Sequence, residues 1–329
     1  MGKLRITIAT SDYDHVRDLA MGRVAAEGID INYLNFTVEE IFYRFTLNRE
    51  WDVSEMSLAK FVAQVAGEGP DITGIPVFPS RVFRLSSIYL RKDKGITGPE
   101  QLRGKKVGVP EWAQTAAVYT RGYLVHEVGV ALAEIDWVQA GVNEAGRVEK
   151  VKLNLPEGVR LTNVPDKSLN EMLLTGELDA VMTARPPICF EQRHPDIVRL
   201  FPDYRAAEEA YYARTGIFPI MHVIAICKDV LEMNPWVARN LFTAFEEAKE
   251  RSIKRALDVT ASRFPIPWGA DYAAKMKTKF AEGYFAYGVE PNRATLEAFL
   301  LYAHEQGVCA RRLAPEELFP KAVQGRFKV

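Results

Sequence analysis

Ile75-Pro76-Val77-Phe78-Pro79-Ser80-Arg81-Val82-Phe83-Arg84 decides the architecture. Its prolines exclude a helix and its alternation argues for a strand. It lies inside a longer extended run, Ile72 to Arg91, that reads as a crossing between two lobes. Next comes Gly98-Pro99-Glu100-Gln101-Leu102-Arg103-Gly104-Lys105-Lys106-Val107-Gly108-Val109-Pro110: a short helix, a turn and a new strand that starts a second α/β unit. Much later, Phe218-Pro219-Ile220-Met221-His222-Val223-Ile224-Ala225-Ile226 is apolar enough to be a buried strand carrying the chain back. Two crossings predict a discontinuous first lobe, about 1–90 with 220–329, around a second lobe of about 91–219.

Upstream of the first crossing the chain alternates strand and helix: Leu4–Ala9, roughly Asp14–Glu27, Ile29–Phe36, Val38–Asn48 and Trp51–Met56. Thr37 with Glu40 predicts a capping box, and a third helix from about Ser57 to Ala66 stops at Gly67. Such alternation predicts a parallel sheet with helices on both faces. In the second lobe a helix runs from about Gln114 to Val128. Another, Ser168–Thr175, has the capping pair Ser168 and Glu171 and leads into the strand Asp179–Thr183. From Asn234-Pro235 the remainder is largely helical to about Gln306.

The 329 residues, 48% hydrophobic with 18 prolines and 22 glycines, predict two domains with separate cores. Lys plus Arg (42) nearly cancels Asp plus Glu (43), which argues against nucleic-acid and membrane-surface partners and for a small-molecule ligand. Association into a homo-oligomer stays open. The opening Met1–Thr10 alternates as a strand and lacks an export signal, so a cytoplasmic protein is expected. No apolar run approaches the ~20 residues of a membrane span. Cys189, Cys227 and Cys309 are odd in number and lack paired spacing, the pattern of reduced, mostly buried thiols.

In a two-lobed parallel-sheet protein, ligands lie beyond the carboxyl ends of strands, in the cleft. The loop after the first strand, Ser11-Asp12-Tyr13-Asp14-His15, offers an acid–base pair in which Asp14 or Asp12 orients His15; helix capping by either aspartate is the structural alternative. Glu55 and Ser57 follow the third strand. Asp12, Asp14, His15 and Glu55 also form a loose candidate set for a divalent metal, although neither a metal nor an organic cofactor is expected. Arg81 and Arg84 flank the first crossing and suit carboxylate binding, with Arg81 the one favoured to face the cleft. Glu111 and Thr115 sit where strand turns into helix, so backbone N–H groups there suit an anion. Arg121, two turns into that helix, reads as structural. Arg185, stiffened by Pro186 and Pro187, is a second carboxylate clamp. His222 is either a core residue or the proton donor.

Two stretches, Leu102-Arg103-Gly104-Lys105-Lys106-Val107-Gly108-Val109 and Leu173-Leu174-Thr175-Gly176-Glu177-Leu178-Asp179-Ala180-Val181, resemble the solute-binding proteins of nitrate, sulfonate and taurine transporters. That resemblance implies a two-lobed type II periplasmic-binding-protein-like α/β fold with its ligand cleft between the lobes. Ile75–Arg84, Thr115-Ala116-Ala117-Val118-Tyr119-Thr120-Arg121-Gly122, and Ala184-Arg185-Pro186-Pro187 with Leu200-Phe201-Pro202-Asp203-Tyr204 resemble the 4,5-dihydroxyphthalate decarboxylase family along the whole chain. The likeness implies a lyase of aromatic catabolism that turns a hydroxylated aromatic dicarboxylate into protocatechuate and carbon dioxide, without an organic cofactor. A binding protein that closes on a small organic anion is the rival, and a related enzyme acting on another hydroxylated or cyclic acid is a third reading.

Overall fold

Leu4–Thr10 alternates between buried residues such as Ile6 and Ile8 and more exposed ones such as Arg5, the signature of a strand at a sheet surface. The computed structural model describes residues 2–280 and 284–325. The chain runs β1 (Leu4–Thr10), α1 (Asp14–Ala20), β2 (Ile29–Asn35), α2 (Val38–Asn48), β3 (Val53–Ser57), α3 (Leu58–Val65) and β4 (Ile72–Arg81). It crosses, then forms β5 (Ile88–Arg91), β6 (Lys106–Val109), α4 (Thr115–Tyr123), β7 (Asp136–Gly141), β8 (Arg160–Ser168), α5 (Leu169–Thr175), β9 (Ala180–Met182), α6 (Ile188–Glu191), β10 (Ile197–Arg199) and α7 (Tyr204–Thr215). It returns through β11 (Ile220–Cys227) and ends in α8 (Lys228–Met233), α9 (Val237–Ala256), α10 (Gly269–Lys279) and α11 (Arg293–Glu305).

The strands form two sheets, ordered β2-β1-β3-β11-β4 and β10-β5-β9-β6-β7-β8. We call each sheet with its helices a lobe. The first sheet is mixed where a parallel one was expected: β1 pairs parallel with β2 and β3, but β11 is antiparallel to both β3 and β4. The cause is the second crossing, which brings the chain back into the first sheet from the cleft end. Ile88 already pairs with Met182 in the second sheet. The expected capping box at Thr37 is not formed, whereas the Ser168 hydroxyl accepts from the Glu171 N–H at 3.1 Å.

Separate cores were expected, yet one connected apolar core runs through both lobes, from Ile8 and Phe61 to Val107, Trp137 and Phe299. A smaller cluster, including Tyr89, Leu169, Leu173 and Val181, covers the other face of the second sheet. The C-terminal helix α11 makes the difference, because it packs on α3 and on α4 together. Tyr302 of α11 lies against Gly122 of α4, where a Cβ would meet the ring at 2.3 Å. Gly122→Ala would therefore overpack the junction by about 1–3 kcal/mol. Buried Gln306 completes the join: its carbonyl accepts from the Trp112 indole at 2.7 Å, its Oε1 from Arg121 Nε at 2.8 Å, and its Nε2 donates to the Val118 carbonyl at 2.9 Å. Arg121 is fully buried 3.8 Å from the Trp112 ring centre, a structural position as expected. Burial brings its guanidinium down to about 9.

Candidate active site

Strands β3 and β4 run the same way, both antiparallel to β11, so their carboxyl ends share an edge with the start of β11. His222 of β11 lies opposite Ser57 of β3 and Ser80 of β4. Glu55 and Ser57, two residues apart, project from one face of β3. Glu55 is completely buried, and its Oε1 meets His222 Nδ1 at 2.5 Å. The same oxygen accepts from the Tyr13 hydroxyl at 2.6 Å, while Oε2 accepts from the Ser11 N–H at 2.8 Å. Burial pushes against the Glu55 charge, but His222, Ser11 and Tyr13 outweigh it and hold the carboxyl below its usual value. Glu55 is thus an anion that fixes a proton on His222 Nδ1 and leaves Nε2 for a ligand. Tyr13 moves the other way: burial, then the Glu55 charge, raise its phenol far above the ordinary range, so it remains a neutral donor. Phe42 meets the His222 ring edge-on at 4.9 Å, and Tyr33 bonds Thr10 at 2.6 Å nearby.

The acid–base pair expected in the first loop is arranged differently. His15 Nε2 bonds the Pro79 carbonyl at 2.9 Å, and its ring packs on Tyr13 and Phe285. Burial lowers its pKa to about 4, only partly opposed by the Pro79 carbonyl and by Glu55 and Asp14. Asp14 turns away to Ser252 (2.6 Å) and Arg255 (3.1 Å) of α9, so it ties α1 to α9 and is not the partner of His15. Asp12 is exposed beside Arg17. The loose metal set of Asp12, Asp14, His15 and Glu55 therefore does not converge, and among the described residues no group of three His, Cys, Asp or Glu side chains does.

The two-arginine clamp is also rearranged. Arg81 ends β4 at the right edge, but its Nη atoms donate to the carbonyls of Ala286 (3.1 Å) and Phe218 (2.9 Å), and its plane lies 4.3 Å from the Phe218 ring centre. Burial brings both Arg81 and Arg84 down to about 10. Arg84 bonds Met221 Sδ at 3.0 Å. Arg185 stands at the outer rim, its side chain 67% exposed, and reaches across the cleft to Glu39 of α2 at 2.5 Å. Long side chains at a strand end have several directions available, which residue spacing does not resolve.

Deeper in, the lobes meet through hydroxyls. Ser57 Oγ and Thr115 Oγ1 are 3.0 Å apart, and Thr115 also accepts from the Ala59 N–H at 3.0 Å. The second lobe thereby caps helix α3 of the first, since Ser57 makes no cap bond of its own. One turn on, Glu111 of the second lobe meets Lys60 of the first at 2.7 Å, both buried, and also Arg147 at 2.7 Å and Lys150 at 3.5 Å. Burial would raise the Glu111 carboxyl, but these cations hold it low. Ser57, Glu55, Thr115, Glu111 and His222 thus fall along one junction. Sequence reasoning missed Tyr13, Lys60, Arg147 and Lys150. A lysine among Leu58, Ala59, Phe61 and Val62 was a usable signal, because a lone charge in a buried helix needs a partner.

A groove of about 1290 Å³ lies elsewhere, between Arg255, Phe264, Trp268, Tyr272 and Phe285. It has no acid–base pair of the Glu55–His222 kind, so we place the candidate site at the closed junction. No helix among the described residues is long and apolar enough to cross a membrane.

Comparison with known proteins is consistent over the whole length. The 4,5-dihydroxyphthalate decarboxylase of Comamonas testosteroni is 38% identical over 331 residues, covering 100% of both chains. A protein of the same name from Pseudomonas putida is 41% identical over 214 residues, 64% of this chain and 83% of that one. No protein-family model matches. Among solved structures, a periplasmic sulfonate-binding protein of Methylobacillus flagellatus aligns with TM-score 0.54 at 12% identity, covering 97% of this chain and 92% of that one. That likeness shows the two-lobed binding-protein fold.

Proposed function

The chain belongs to the 4,5-dihydroxyphthalate decarboxylase family, and from that premise we propose that it converts 4,5-dihydroxyphthalate to protocatechuate and carbon dioxide, in the cytoplasm, as a step of phthalate breakdown. The observation that carries the reading is the buried Glu55 carboxylate seated on His222 Nδ1 with Tyr13 at its side.

Each substrate carboxylate lies para to a hydroxyl. The ionised hydroxyl pushes electrons to the ring carbon that bears the leaving carboxylate, and that carbon takes a proton. The carbon–carbon bond then breaks, carbon dioxide leaves with the carboxylate oxygens, and the ring becomes aromatic again; overall one proton is taken up per carbon dioxide released. His222, in its imidazolium form, delivers the proton from Nε2, and Glu55 holds the imidazolium in place and stabilises its charge. Tyr13 keeps Glu55 oriented. Closure across Ser57 and Thr115 keeps water from the reacting carbon.

Incubation of the purified protein with 4,5-dihydroxyphthalate should yield protocatechuate by chromatography, with an equal amount of carbon dioxide. Recovery of unchanged ligand, with binding intact, would favour the solute-binding alternative. The electron push needs no Lewis acid, so turnover should survive exhaustive chelation. Loss restored by one divalent ion would bring a metal into the mechanism.

A further inference from the structure

Three cations converge on one carboxylate at the lobe junction. Lys60 comes from the first lobe, Arg147 and Lys150 from the second, and all three face Glu111. Glu149 adds one more negative charge close by, but it is engaged by the Ala113 and Lys150 backbone N–H groups. Lys150 is depressed by burial in spite of Glu111, with Lys60 and Arg147 pushing the same way as burial. A closed junction holding more positive charge than its own carboxylate neutralises is costly unless an anion joins it. A second observation lies beside it. Strands β6 and β9 run parallel with Gly108 opposite Val181, so Thr183 emerges at the same edge as Glu111. Thr183 is buried, and its hydroxyl has no partner among the described residues, a state that calls for one.

We propose that Lys60, Arg147, Lys150 and Thr183 form the subsite for the carboxylate that the reaction leaves in place, with Glu111 as the internal anion that keeps the cations gathered. This rests on the decarboxylase reading for the identity of the ligand, an aromatic 1,2-dicarboxylate. Proton delivery then sits at one end of the junction, at His222, and anion recognition at the other, with Ser57 and Thr115 between. Cations from opposite lobes mean that the dianion itself favours closure.

The test uses phthalate, a dianion without the hydroxyls needed for reaction, titrated calorimetrically into the full-length protein. Arg147→Met should weaken phthalate binding about tenfold or more, and Lys150→Met and Thr183→Val about threefold or more. Glu111→Gln, by removing the competing anion, should tighten it. Lys60→Met tests the first-lobe cation, and Arg147→Met, whose side chain is 37% exposed, keeps the experiment decisive if Lys60→Met does not fold. Phthalate affinity within twofold of wild type in Arg147→Met, weaker binding in Glu111→Gln, or no phthalate binding by the wild type at millimolar concentration overturns the subsite. Because binding is read without turnover, absent carbon dioxide release with the expected affinity losses would sink the decarboxylase reading alone. Normal turnover with an unchanged KM in Arg147→Met would sink the subsite alone.

Discussion

Two regions at the same edge of the first sheet each hold a half-buried imidazole, in different surroundings. At β3 and β11, His222 sits on an ionised carboxylate whose other lone pairs are taken by Ser11 and Tyr13. At the start of α1, His15 bonds the Pro79 carbonyl and packs on two aromatic rings. The first ring is paired with a carboxylate, whereas burial lowers the pKa of the second to about 4. Proximity to the cleft does not make a histidine a proton donor; a buried counter-charge does.

The sharpest break of this comparison is Glu55→Gln. If Glu55 supports His222, turnover should fall by ~10²–10⁴-fold with a smaller change in KM, and the double variant with His222→Asn should be little worse than either single one, as measured by steady-state protocatechuate formation. Independent, multiplying losses would mean that the two residues do not act together. Tyr13→Phe removes one hydrogen bond to the carboxylate and should cost about 10–10²-fold in kcat.

His15→Gln should leave turnover within about threefold and show its effect in stability instead. The imidazole binds its proton at about 4 in the folded protein and at 6.5 ordinarily, so the unfolded chain holds more protons between those values. Stability due to this group is complete above about pH 6.5 and falls as the pH drops to about 4, by on the order of 3 kcal/mol. Denaturant melts at pH 7 and pH 4.5 should differ less in the variant than in the wild type. An equal difference would place the acid sensitivity elsewhere. Arg185→Ala carries the smallest expectation: its pair with Glu39 is exposed on both sides, so KM should change by less than about threefold.

Much of the architecture was legible because strand ends, crossings and helix starts are local patterns. Ile75–Arg84 and Phe218–Ile226 each announce an extended segment within ten residues. The site was legible only in pieces. His222 and Glu55 were both visible as candidates, but 167 positions separate them, and nothing in either neighbourhood says that β11 returns beside β3. Asp14, one residue from His15, was the nearer partner in sequence, yet on a helix adjacent residues point in different directions, and Asp14 faces α9. Arg147 and Lys150 lie between β7 and β8 in a stretch without regular structure, where spacing carries no direction.

The seat of α11 on α4, closed by Gly122 and Gln306, bears on how the protein is made. The second lobe leaves the ribosome before the helix that covers α4. Until then Trp112 lacks its hydrogen-bond acceptor and Arg121 its Gln306 partner, so the nascent lobe must wait with an open apolar flank until Gln306 has been made. Chains halted before Arg293 should therefore be ready substrates for chaperones or proteases, and only a chain grown past Gln306 can hide the surface that marks it as incomplete.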